Sequence, residues 1–322
     1  MYKIIQHNAF LSVIEMRKKL FEIVVASGKG GTGKTTLSGF LVSRLSLDRV
    51  PLIAVDADVE APDLVLVLGK ERKIIRKEEI FESDVSEINY ERCSLCMKCY
   101  EACAFNAIEV IDNKPVIVEQ LCEGCGVCAI ICPDKAIRMK RVKTGDLLVY
   151  ETKFSKVVTG SLELGRKHSG MLVEILKRRA REILNEDGID SGIIVVDAAA
   201  GIGCPVISSI AGSDYLVVVI EPTDQSLFSA KRMIEIGKTF GLPIGVVINK
   251  WDINPNFYDR IVGFAESEGI TLLGRIPFTK KIAEAYSQEI PIINLGDNQI
   301  LNSFEEVYSN LLKEIKGRGA EL

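Results

Sequence analysis

Two sets of residues in this chain have types and spacing that suit chemistry. The first is Gly28-Lys29-Gly30-Gly31-Thr32-Gly33-Lys34-Thr35-Thr36. It satisfies the pattern G-x4-G-K-[ST], whose glycines let successive backbone N–H groups approach a phosphate. Lys34 then places a point charge on the terminal phosphates, and the Thr35 hydroxyl is offered to Mg2+. The second set is Cys93-x2-Cys96-x2-Cys99-x3-Cys103, repeated as Cys122-x2-Cys125-x2-Cys128-x3-Cys132 at an offset of 29 residues. Ala107-Ile108 and Ala136-Ile137 recur at the same offset, so this stretch reads as an internal duplication. Thiols at such spacing suit soft metal ligation in a reducing compartment better than a disulfide framework.

The elements that must position the first set follow from the neighbouring residues. Residues 21–26 read FEIVVA, a short apolar run suited to a strand buried on both faces, and 36–47 suit a helix. Strand, glycine loop and helix in that order make a nucleoside triphosphate site. Further strands are expected at 51–55, 193–196, 215–220, 243–248 and 271–276, alternating with helical stretches. The fold class is therefore α/β, a mostly parallel sheet with helices on both faces. Asp56 and Asp58 close one expected strand and Asp197 another, at the carboxyl ends where such sheets bind ligands.

The string 27–36, with its early Lys29, resembles the deviant phosphate loop of the MinD, Mrp and nitrogenase iron-protein class of dimerising ATPases. The resemblance implies that ATP is the substrate and that Lys29 reaches a partner subunit's phosphates, as an arginine finger does. It further implies that Asp56 and Asp197 join Thr35 around Mg2+ and that Asp58 orients the attacking water. Gly201 corresponds to a switch glycine, and Asn249 with Pro277 to residues beside the base. The class often has proline where Ala199 stands. Lys29, Lys34 and Asp58 are the expected catalytic residues. Asn249-Lys250-Trp251-Asp252 also fits N-K-x-D, by which GTPases read guanine, so GTP is the alternative nucleotide.

The cysteine run has the spacing of bacterial two-cluster ferredoxins, in which three cysteines of one repeat and the fourth of the other hold each cubane. One [4Fe-4S] set would be Cys93, Cys96, Cys99 and Cys132. The other would be Cys122, Cys125, Cys128 and Cys103. Zinc is the alternative occupant. Pro133 follows the second repeat where Ala104 follows the first. Cys204, the ninth cysteine, is expected to be a buried helix-start residue rather than a ligand between subunits. The whole resembles MinD-superfamily ATPases carrying an inserted ferredoxin domain. The expected boundaries are an N-terminal extension at 1–20, a discontinuous ATPase domain at 21–70 and 144–322, and an inserted α+β module at 86–143.

Composition narrows the partners. The formal charge is −4 over 322 residues and the isoelectric point is near 5.5, which argues against nucleic-acid capture by a basic field. The first 20 residues read as neither a secretory signal nor an anchor, because Arg17, Lys18 and Lys19 follow the apolar patch. A cytoplasmic, ATP-dependent homodimer is expected. The terminal stretch 300–315 has helical apolar spacing and is expected to pack on the sheet rather than target a membrane. Of three functions consistent with these features, an ATP-gated electron carrier serving a partner protein stands first. A carrier or assembly protein for iron-sulfur clusters or a metal cofactor stands second, and a MinD-like positioning or redox-sensing switch third.

Overall fold

The computed structural model describes residues 19–165, 168–318 and 320; the expected extension at 1–20 lies almost wholly outside them. Thirteen strands occur among the described residues: β1 (Lys19–Ser27), β2 (Leu52–Asp56), β3 (Arg72–Ile80), β4 (Ser83–Ile88), β5 (Ile108–Ile111), β6 (Lys114–Ile117), β7 (Ile137–Val142), β8 (Gly145–Thr152), β9 (Lys156–Leu162), β10 (Ser191–Ala200), β11 (Tyr215–Ile220), β12 (Ile244–Asn249) and β13 (Thr271–Ile276). The helices are α1 (Lys34–Leu47), α2 (Leu64–Val67), α3 (Lys98–Glu101), α4 (Val127–Ile131), α5 (Ser169–Glu186), α6 (Cys204–Ile210), α7 (Asp224–Thr239), α8 (Pro255–Ser267), α9 (Lys280–Ser287) and α10 (Asn298–Lys316).

Nine strands form one sheet in the order β13-β12-β11-β1-β10-β2-β9-β8-β3. From β13 to β9 every pairing is parallel; β8 joins β9, and β3 joins β8, antiparallel. Alternation along each central strand divides the apolar side chains between the two faces. On β1, Val24 and Ala26 enter one core, while Phe21, Ile23 and Val25 enter the other. The second core also takes α1 and the buried stripe Ile300, Phe304, Val307, Tyr308, Leu311 and Ile315 of α10, with the Phe40 and Phe304 rings 4.9 Å apart. The terminal helix thus spends its apolar face on the sheet. Among the described residues no helix is long and apolar enough to cross a membrane.

The charged stretch Arg72–Ile80 is an edge strand of the main sheet, so the large domain runs past the expected limit at 70. Its lysines, arginines and glutamates suit an edge that must not pair with another chain. The segment beyond it begins at Ser83 rather than 86, where β4 pairs with β7 in the register Ser83↔Val142 to Ile88↔Ile137. A second hairpin, β5–β6, and the short helices α3 and α4 complete the insert, whose small core is Cys99, Ile108, Cys128 and Ile137.

Helix α5 ties the large domain together through a fully buried cation. Lys177 Nζ donates to the carbonyls of Ser208, Ser209 and Ala211 at 3.1, 2.8 and 2.7 Å, closing the C-terminal end of α6. Its charge is matched by Glu22 on β1 at 2.7 Å, which Arg181 also meets at 2.6 Å. Burial pushes the Glu22 carboxyl above the usual range, and the two cations pull it back. Removing one partner of a buried pair strands the other. We therefore expect Lys177→Met to cost about 3 kcal/mol, read as a lower urea midpoint at unchanged slope; an unchanged midpoint would show that the buried charge holds nothing.

Candidate functional site

The carboxyl edge of the sheet gathers the expected residues of the phosphate loop. Register sets Asp56 of β2 directly beside Asp197 of β10, and Val25 beside Asp197, two residues before the loop begins. The loop closes on the sheet through glycine. A side chain at Gly28 would lie 2.2 Å from Ser229 Cβ, and one at Gly33, whose φ is 90°, would lie 2.2 Å from Asn249 Nδ2. A cavity of about 270 Å3 opens over the loop, lined by Gly30 to Thr36 together with Asp58, Asp63, Ala200 and Tyr286. A second, mostly apolar cavity of about 310 Å3 shares Gly31, Gly33, Thr36 and Tyr286 with it. That cavity is lined also by Asn249, Lys250, Ile276, Pro277 and Phe278. Together they make one cleft with a polar end for phosphates and an apolar end for a base.

At the polar end the charges converge on Asp197. Its Oδ2 accepts from Thr35 Oγ1 at 2.7 Å and from Lys34 Nζ at 3.4 Å, and its Oδ1 accepts from Ser38 Oγ at 2.8 Å. Asp56 accepts from the backbone N–H groups of Leu64 at 2.8 Å and Asp58 at 3.2 Å. Both carboxylates are fully buried. Burial pushes Asp56 well above the ordinary carboxyl range, and the neighbouring Asp197 charge adds to it. Burial likewise raises Asp197, against the opposing pull of Lys34. Burial alone would lower Lys34, but Asp197, Asp58, Asp56 and Asp63 hold it above its usual value. Two acids this close and this dry are the electrostatic signature of a cation site.

Sequence reasoning missed Asp63, whose carboxylate joins Asp56 and Asp197 with ligand atoms within 4.8 Å of one another. Its signal was a third aspartate just past the strand end, before the short helix α2. Tyr286 Oη donates to it at 3.0 Å. Glu221, just past the carboxyl end of β11, belongs to a stretch, Glu221-Pro222-Thr223, that resembles the family in sequence but had no role assigned. It pairs with Lys29 at 2.6 Å and with Lys250, whose Nζ also donates to Gly31 O at 2.9 Å. Within one chain Lys29 is therefore held by its own Glu221. Gly201 has φ 98°, but its N–H donates to Ser27 O at 3.0 Å and Ala200 lines the cavity in its stead. Asn249 Nδ2 donates to Thr32 O at 2.7 Å. Asp252, the guanine-reading position of N-K-x-D, accepts from Phe278 N at 2.7 Å and does not line the base cavity.

The insert sorts its thiols into two pockets. Cys103, Cys122, Cys125 and Cys128 line one, and Cys93, Cys96, Cys99 and Cys132 line the other. Each set draws three thiols from one repeat and the fourth from the other. Cys99 and Cys128 are buried and Cys96 and Cys125 exposed, the same positions in each repeat. Tetrahedral zinc, with bonds of about 2.3 Å, would draw four sulfurs to within about 4 Å of each other. Among the described residues, the only group of three ligand atoms within 4.8 Å is the aspartate one. The all-thiol donor set and this looser spacing fit a larger cluster. Cys204 corrects an expectation: it does start α6, after an extended Gly203, but it is exposed.

The paired acids yield a test. Asp56→Asn removes a buried charge that repels Asp197, so the nucleotide-free protein should melt a few degrees higher, at roughly 2–4 °C per kcal/mol. Magnesium-dependent nucleotide affinity should fall at least tenfold, measured by calorimetry with and without Mg2+. Equal affinity in both conditions would remove Asp56 from the cation site.

Residues 23–292 match the family described as the CobQ/CobB/MinD/ParA nucleotide binding domain. An uncharacterised protein of Methanocaldococcus jannaschii is 30% identical over 91% of this chain and 96% of its own length. The iron-sulfur cluster carrier protein of Pyrococcus abyssi is 24% identical over 94% of this chain and 90% of its own. Among solved structures, septum site-determining protein MinD of Pyrococcus horikoshii OT3, complexed with Mg-ADP, superposes with a TM-score of 0.57 at 18% identity, covering 94% of this chain and all of that one. The fold, the loop geometry and the family match agree: this chain belongs to the CobQ/CobB/MinD/ParA family of nucleotide-binding proteins.

Proposed function

We propose that the protein is an ATP-hydrolysing iron-sulfur cluster carrier or assembly factor whose insert, the 83–142 segment, is a two-cluster ferredoxin module. The observation that carries this reading is the presence, in one chain, of a phosphate-loop cation site and two separate four-thiol pockets. Cluster carriers of Pyrococcus abyssi, Pyrococcus furiosus and Methanocaldococcus jannaschii are among the relatives that align over nearly the whole chain. Their names favour delivery over the pure electron carrier that the sequence put first. ATP is favoured over GTP because Asp252 is not among the residues lining the base cavity and one of its carboxylate oxygens accepts from Phe278 N.

In this reading Thr35, Asp56 and Asp197 hold Mg2+, the loop N–H groups of Gly28 to Thr36 and Lys34 bind the phosphates, and Asn249 and Pro277 flank the base. Asp58 orients the attacking water, and Gly201 exchanges its bond to Ser27 for one to the γ-phosphate. Lys29 leaves Glu221 for the phosphates of a second subunit, so hydrolysis is a property of a homodimer. Cys93, Cys96, Cys99 and Cys132 would hold one [4Fe-4S] cluster, and Cys122, Cys125, Cys128 and Cys103 the other. Mg2+ neutralises charge on the phosphates, and the clusters supply single electrons at low potential. A soluble cytoplasmic setting suits free thiols and a terminal helix packed on the sheet.

A second reading, ATP-gated electron transfer to a partner protein, draws support from the burial of Cys99 and Cys128, which suits resident clusters better than cargo.

Anaerobic reconstitution should load about eight iron atoms per chain, and ATP should accelerate cluster transfer to an apo [4Fe-4S] acceptor protein. Lys29→Ala should keep ATP binding while losing about 10^3-fold or more in hydrolysis, along with the ATP-dependent transfer. Transfer that ignores both ATP and Lys29→Ala would remove the carrier reading. ATP-dependent reduction of the acceptor without loss of iron from this protein would establish the second.

A further inference from the structure

The internal repeat makes each pocket a control for the other. Residues 29 apart occupy equivalent places: Ile88 and Ile137 line the Cys93 pocket where Ile117 and Ile108 line the Cys122 pocket. Backbone donors are matched as well. Ala107 N donates to Cys103 Sγ at 3.3 Å and Ala136 N to Cys132 Sγ at 3.2 Å, one in each pocket. One side-chain hydrogen bond to a thiol is unmatched. Ser86, 5% exposed, places its Oγ 3.0 Å from Cys128 Sγ, and its equivalent 29 residues on is Pro115, which has neither hydroxyl nor N–H. Cys128 as a deprotonated ligand can only accept, so the Ser86 hydroxyl donates to it.

The pockets also differ in depth along the insert. Strand β4 starts at Ser83, whose Oγ is 3.0 Å from Thr144 Oγ1 and 3.2 Å from Nδ1 of His168, just before α5. Ser86 is three residues further, about 10 Å along the strand, and Ile88 about 17 Å. The Cys122 pocket is thus the inner one, next to the nucleotide-binding domain, and the Cys93 pocket the outer.

Resting on the reading that the insert holds two clusters, we propose that Ser86 makes the two sites unequal, raising the reduction potential of the inner one so that a single electron settles there. Hydrogen bonds to ligating sulfur raise a cluster's potential. Charged neighbours do not cancel this. Asp134 and Lys98, of opposite charge, both line the outer pocket and the partly exposed Glu123 lines the inner one, whereas the Ser86 contact is buried and direct. A one-electron donor reduces the outer site. Passage inward oxidises that site by one electron and reduces the inner one by one, with no bond made or proton moved.

The test is a stepwise dithionite titration of the reconstituted full chain, followed by electron paramagnetic resonance. Wild type should give two one-electron steps whose constants differ at least tenfold, which is 59 mV, with Cys125→Ser assigning the inner signal. Ser86→Ala should merge the steps and Ser86→Thr should keep them apart. Pro115→Ser should narrow the gap from the other side, and it serves where Ser86→Ala fails to hold clusters. Two loaded clusters whose separation is unmoved by Ser86→Ala or Pro115→Ser would overturn the inference and leave the cluster reading standing. A wild-type chain that takes up no iron and sulfide would overturn both.

Discussion

The two carboxylates lying side by side at the sheet's carboxyl edge are the constraint around which the rest is arranged. Asp56 and Asp197 are adjacent in register, fully buried, and share one nearby cation, Lys34, which approaches Asp197 only at 3.4 Å. Like charges in a dry interior oppose folding. What keeps them is a shell of donors: Thr35 and Ser38 on Asp197, and the N–H groups of Asp58 and Leu64 on Asp56. Those donors come from the first turns of α1, from the turn after β2 and from the start of α2, so the acids tie these segments to the sheet edge. The pair is held by hydroxyl and backbone dipoles that the chain itself supplies.

A similar logic governs the next layer out. Glu221 is nearly buried yet holds its carboxyl below the usual range, because Lys250 and Lys29 outweigh its desolvation. Two lysines for one carboxylate is an arrangement with a spare. A move of Lys29 towards another subunit leaves Glu221 paired with Lys250, so no buried charge is stranded. Glu221 is thus the carboxylate that both lysines share.

Legibility in the sequence followed how local the cause was. The phosphate loop could be read because strand, glycines and helix are contiguous, and Asp56 and Asp197 because each ends an apolar run. The repeat itself needed only counting, while the crossed division of thiols between the two pockets was implied by the resemblance of that spacing to two-cluster ferredoxins. Arg72–Ile80 was opaque because an edge strand that avoids pairing errors with charge has none of the apolar alternation that marks a strand. Asp63 was missed, and Glu221 had no role assigned, because their meaning lies in partners up to 223 residues distant, such as the Tyr286 hydroxyl on Asp63. Cys204 was placed at a helix start as expected but given the wrong environment, since the depth of a first turn depends on how α6 packs against α5, which lies far off in sequence.

Any coupling between the nucleotide site and the insert needs a continuous solid link, and spatial proximity alone does not provide one. Helix α5 has the contacts such a link requires. Just before its first turn, His168 meets Ser83, the first residue of the insert's root strand. Two residues on, Gly170 lets it lie so close to α6 that a side chain there would meet Ser208 Oγ at 2.9 Å and Cys204 Cβ at 3.2 Å. Lys177 then fastens the far end of α6 and the strand that feeds the phosphate loop. Since α6 begins just beyond Asp197 and Gly201, it cannot shift against α5 without breaking a buried charge from its three carbonyls. The first turn of α5 is thus packed on the start of α6 while the residue just before it, His168, meets the base of the cysteine module, so one short stretch of chain touches both.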